Sequence, residues 1–162
     1  MIIRYSSEKD VLDLVAAFES GTVARDKWKH AEHLTVGLYY LSRFDLETAI
    51  VEMRTGIFNL LRSFGVDLSK EMPYHETLTV FWMRTIAEFN ASKNGASLAE
   101  KANELVEKYD KDYPLRFYSR EFLFSDEARI TLSFPATWRA ISVCMDRMSC
   151  KVRSYSIDQI GS

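Results

Sequence analysis

Little in this chain breaks a helix. Only three prolines and six glycines punctuate its 162 residues, so long uninterrupted elements are expected. Cysteine is nearly absent as well. Cys144 and Cys150 are the two present, too few for the disulfide framework of a small secreted protein and at a spacing that matches no common zinc motif. Two reduced thiols in a cytoplasmic protein are the expectation. No apolar run approaches the roughly 18 to 20 residues a membrane span requires, and the first residues lack the basic-then-apolar pattern of a secretory signal. Neither sign of charge prevails: 21 Lys and Arg face 23 Asp and Glu, for a net charge of -2. With no basic field and no helix with a basic face, nucleic acid is not an expected partner. Internal repeats, glycine-rich phosphate loops, nucleophile elbows and a credible Ser-His-Asp arrangement are all missing.

Aromatic residues, by contrast, are abundant. Ten Phe, eight Tyr and three Trp within an apolar fraction of 47% supply material for a real core. Apolar positions recur at helical spacing. Ser7 and Asp10 form a capping box for a helix over residues 7 to 20. Asp26 can cap a second helix over 27 to 44, and Asp45 starts a third that Gly65 ends. Pro73 suits the first position of a fourth helix, over 74 to 89. Ser97 and Glu100 open a further helix to about residue 108. Pro114 and Ser125 mark two shorter ones, the last ending before Pro135. The expected fold is all-α: a bundle of four main helices with short additional C-terminal helices. Residues 1–135 form one helical domain, and 136–162 a C-terminal extension, either helix or tail.

Histidine is scarce too, and its placement is the most informative feature of the chain. The three histidines fall in two motifs, Trp28-Lys-His30-Ala-Glu-His33-Leu34 and Tyr74-His75-Glu76-Thr77. On a helix His30 and His33 are neighbours one turn apart, with Gly37 further along the same face. Gly37 either admits a close helix or leaves room beside the imidazoles. On the fourth helix His75, Thr79 and Trp82 share a stripe, and a first-turn position behind Pro73 favours the neutral form of His75. Three neutral imidazoles would suit zinc, iron or manganese, with Glu32 or Glu76 as a further ligand, an orienting partner or a proton carrier. His-x-x-His alone is also compatible with a metal-free polar site, or with histidines that cap and tie helices. Trp28 and Trp82 would wall a ligand pocket, and Arg54 and Asn59 are candidate contacts on the third helix. Ser125 and Arg129 suggest an anion contact, or simply a cap and a surface charge.

The motifs resemble those of a family of uncharacterised bacterial all-helical proteins. The shared segments are Trp-x-His-x-x-His-Leu, here residues 28–34, and Tyr-His-Glu-Thr-x-Thr-x-Phe-Trp, here residues 74–82. The likeness runs over residues 10 to 135 and includes the stretch from Arg54 to Ile57 and the region from Tyr118 to Arg129. It implies that His30, His33, His75, Glu76 and Thr79 belong to one site, and it implies no particular reaction. After Pro135 the chain departs from the family pattern.

These readings converge on an interhelical pocket that takes a small molecule. In the enzyme version His30, His33 and His75 bind a divalent ion, Glu76 and Thr79 serve catalysis, and Trp28, Arg54, Asn59 and Trp82 contact substrate. Hydrolysis and oxygen chemistry fit equally. The alternatives are a metal-free small-molecule binder and a structural or interaction module. A homodimer would be ordinary for a helical protein of this size.

Overall fold

Cap chemistry sets most of the helix boundaries. The computed structural model describes residues 3–132, which contain seven α-helices and no strand among the described residues. The extension expected from residue 136, with both cysteines, lies outside the described residues. In α1 (Glu8–Glu19) the Asp10 carboxylate accepts from the backbone N–H groups of Ser6 and Ser7, at 2.8 and 2.9 Å. The helix ends at Gly21, whose φ of 65° lets Thr22 N–H turn back to the Ala17 carbonyl. Asp45 caps α3 (Leu46–Ser63) by accepting from Thr48 N–H at 2.8 Å. Ser97 and Glu100 cap α5 (Leu98–Lys108) reciprocally.

Two starts differ from the sequence expectation. The second helix, α2 (His30–Leu41), begins three residues beyond position 27, because Glu32 rather than Asp26 supplies the acceptor, for Lys29 N–H at 2.9 Å. The fourth, α4 (Glu76–Ala91), starts after His75 and not at Pro73. His75 is therefore the N-cap, in extended backbone, outside the first turn. After α5 come a 3-10 turn at Tyr113–Arg116, then α6 (Arg120–Leu123) and α7 (Asp126–Ile130). Each of the two short helices is capped by a serine, Ser119 and Ser125.

Helix α2 is the axis of the molecule. Its residues from Leu34 to Leu38 are all buried, and it packs against α1, α3, α4 and α5. The main body thus comprises five helices, with α5 as integral as the first four. On one side of α2 lies a cluster of Val15, Phe18, Val36, Tyr40, Met53, Ile57 and Leu60. On the other lies one of Val11, Leu34, Leu38, Ile86, Phe89, Ala102 and Leu105. A third, smaller cluster joins Phe81 to Tyr118 and Leu123. No helix among the described residues is long and apolar enough to cross a membrane.

Both interior glycines mark close approaches. A Cβ on Gly37 would stand 2.9 Å from Ile86 Cδ1 and 3.1 Å from Met83 Sδ, so the glycine seats α4 against α2 and leaves no room beside the imidazoles. On Gly56 a Cβ would overlap the ring edge of Phe18.

The backbone of the N-terminal segment is clamped by the Asn103 side chain. Asn103 on α5 accepts from the N–H groups of Arg4 and Tyr5, at 2.8 and 3.0 Å, and donates to the Tyr5 carbonyl at 2.8 Å. The amide thereby pairs with the backbone as a neighbouring strand would. Asn103→Ala is expected to cost about 2 kcal/mol in urea denaturation, because it strands buried backbone groups of Tyr5. An unchanged midpoint would show that water replaces those bonds freely.

Candidate functional site

The residues singled out from the sequence gather around the start of α2 and the start of α4, but each histidine meets its own partners. Lys29, just before α2, anchors His33, whose Nδ1–H donates to the Lys29 carbonyl at 3.0 Å. On the opposite ring edge, Trp28 Nε1–H donates to His33 Nε2 at 3.0 Å. That pair of bonds requires the neutral Nδ1–H tautomer and occupies both nitrogens. Burial pushes the imidazole down from 6.5 to about 4, against the pull of the Lys29 carbonyl, and a charge on His30 pushes it the same way. Trp28 itself stacks on Phe18 with centroids 4.8 Å apart, which explains why the chain stays out of the helix until His30.

His30 points elsewhere. Its Nε2–H donates to the Tyr109 carbonyl at 3.0 Å, and its ring lies 4.8 Å from that of Trp82. It ties α2 to the end of α5 and to α4. Glu32, 8% exposed, is consumed by Lys29 N–H and by the Arg4 guanidinium at 2.7 Å.

His75 is bound on both edges as well. The Leu78 N–H donates to Nδ1 at 3.2 Å, which is the α4 cap, while Nε2–H donates to the Leu123 carbonyl at 2.6 Å. Burial lowers the pKa of the ring against the opposing pull of the Leu123 carbonyl, and the charge on the Arg129 guanidinium lowers it further. Arg129, considered above as an anion contact, thus lies close to an imidazole.

Glu76 is the centre of a polar network that joins α3 to α4. Arg54 Nε donates to its Oε2 at 3.1 Å, a terminal guanidinium nitrogen donates to Oε1, and the Tyr74 hydroxyl donates to Oε2 at 2.5 Å. Arg54 also reaches the Tyr74 oxygen at 3.3 Å. Burial opposes the charge on Arg54, yet its bonds to Glu76 and Tyr74 outweigh that and hold it protonated. The Tyr74 phenol is pushed well above its ordinary value, by burial and then by the adjoining carboxylate. The Glu76 carboxylate thus accepts from a bidentate guanidinium and a phenol. The Thr79 hydroxyl donates to the His75 carbonyl at 2.9 Å, inside its own helix.

The remaining candidates separate. Asn59 is exposed and accepts from Arg62 on the same helix at 3.1 Å. Trp82 belongs to an aromatic group with His30, Phe81, Tyr109 and Tyr113. Trp28 and Trp82 stand against different histidines and do not wall a common pocket. An open cleft of about 280 Å³ lies at the far end of α2, lined by Glu8, Ser42, Arg43, Leu98 and Lys101, and includes none of the candidates.

The structure therefore brings together Arg54, Glu76 and Tyr74, and keeps His33, His30 and His75 on three separate sets of partners. Tyr74 was visible in the motif but carried no role there. Its signal was position: two residues before a carboxylate, at a helix start. Among the described residues, no group of three or more His, Cys, Asp or Glu side chains is arranged to hold a metal ion. Both ring nitrogens of His33 and of His75, and Nε2 of His30, are engaged by hydrogen bonds within the fold. No family model, curated protein or solved structure matches the chain.

Proposed function

We propose that this chain is a helical scaffold or interaction module whose three histidines serve hydrogen bonds within the fold instead of holding a metal. One observation carries the reading: both ring nitrogens of His33 and of His75 are engaged by hydrogen bonds within the protein. A metal at either residue would first have to displace an indole, a helix cap or a backbone carbonyl, with the desolvation cost of each orphaned group. Untagged full-length protein, dialysed against zinc, manganese or ferrous iron and then against buffer, is expected to retain far less than one ion per chain. Its thermal midpoint is expected not to move. Stoichiometric metal that disappears in His33→Ala would sink the proposal and restore the metal-dependent enzyme.

A second reading, a metal-free binder of a polar small molecule, is favoured by the half-buried Arg54–Glu76–Tyr74 network. Thermal-shift screening separates the two: stabilisation by a metabolite that is lost in Arg54→Ala supports the binder.

A further inference from the structure

We infer that residues 117–131, which carry α6 and α7, form a strap that opens and recloses as one unit over the N-terminal half of α4 while α1 to α5 stay folded. Neither short helix can stand alone. At four and five residues they lie far below the length at which an isolated helix persists, so they are formed only while docked. Docking uses the third apolar cluster and not the two that surround α2. Leu123 and Tyr118 sit with Phe81, and Tyr118 stacks on Phe122 with rings 5.6 Å apart and 13° from parallel. The hinge is the 3-10 turn at Tyr113–Arg116. Its Tyr113 ring is anchored against Tyr109, 4.8 Å away, and so belongs to the body.

Two side chains at the start of α4, the N-cap His75 and Thr77 in the first turn, hold the strap at both of its helices. His75 Nε2–H donates to the carbonyl of Leu123 at the end of α6, and Thr77 Oγ1 donates to the carbonyl of Thr131 just past α7, at 2.9 Å. Both acceptors are backbone, so closure depends on the helical turns of the strap being formed, which makes docking and folding one event. Opening removes Tyr118 and Leu123 from Phe81, which is 2% exposed when the strap is closed. The strap is thus a lid on an apolar face of α4.

The inference rests partly on His75 being a tie, so its test includes a variant that leaves that residue intact. Hydrogen exchange of the full chain, resolved by peptide, is expected to show residues 117–131 exchanging together while α2, α3 and α5 stay protected. Thr77→Val, which keeps shape and removes the hydroxyl, should speed exchange of the strap about fivefold, as loss of one hydrogen bond implies, and leave α2 unchanged. His75→Asn retains a capping side chain but cannot reach Leu123, and should do the same. Equal protection of the strap and α2, or acceleration of all helices together in either variant, would overturn the strap. Metal retention in the dialysis experiment bears on the histidines and leaves the Thr77→Val result standing.

Discussion

Gly56→Ala is expected to remove about 2 kcal/mol of stability, read as a lower denaturation midpoint at unchanged slope. Alanine in a helix interior ordinarily gains about 1 kcal/mol over glycine. Here the new methyl would overlap the edge of the Phe18 ring, which is fully buried and cannot withdraw. Trp28 stacks on that ring at 4.8 Å, and Tyr40 abuts it at 6.4 Å. Overpacking of a pinned ring costs up to about 3 kcal/mol, more than the helix gain. Gly37→Ala provides the contrast. Its obstacles are the tips of Ile86 and Met83, flexible ends that can rotate away, so a net change within about 1 kcal/mol is expected. A double variant identifies the cause. Phe18→Leu should recover part of the Gly56→Ala loss, and strict additivity would show that the clash is relieved elsewhere.

The second large effect is on pH. His33 titrates near 6.5 when unfolded and at about 4 when folded, so between those values the unfolded chain binds a proton that the native state refuses. Stability is complete above 6.5, declines as pH falls through that window, and has lost about 3 kcal/mol from this residue by its lower edge. His75 acts in the same direction, since its pKa is also lowered. Urea denaturation across the window measures the slope, and His33→Gln should flatten it. Trp28 offers an independent readout, because protonation of His33 removes the acceptor for the indole N–H and should change its emission near pH 4. A midpoint that stays level from 6.5 to 4.5 would refute the assignment of a buried neutral imidazole.

The all-helical class and most helix ends were legible because they depend on short-range chemistry. Ser7 with Asp10, Asp45, Ser97 with Glu100, and Ser125 each cap the helix their position announces. The two misplaced starts depend on less common caps. An imidazole acting as acceptor at His75 is not a usual cap, and at α2 the carboxylate of Glu32 outcompetes Asp26 because Trp28 must first reach Phe18. The partners of the three histidines were hidden for a related reason. A spacing of three places two Cα atoms on one helix face, but it does not aim the rings. Trp28 turns His33 one way, and Tyr109 with Trp82 turns His30 another. Those partners lie up to 79 residues away along the chain and leave no trace in local spacing. The Arg54–Glu76 pair was half legible: both residues were candidates, but their contact spans 22 residues.

The Asn103 clamp has a consequence for the order in which the chain is made. Tyr5 waits for a partner 98 residues downstream, which a ribosome adding about 5 to 20 residues per second reaches only after roughly 5 to 20 s. Through that interval α1 to α4 can pair with one another, but the cluster around Val11, Leu34 and Leu38 still lacks Ala99, Ala102 and Leu105 of α5. A stall before residue 103 would therefore leave a sticky, half-built bundle, the state on which a ribosome-bound chaperone acts.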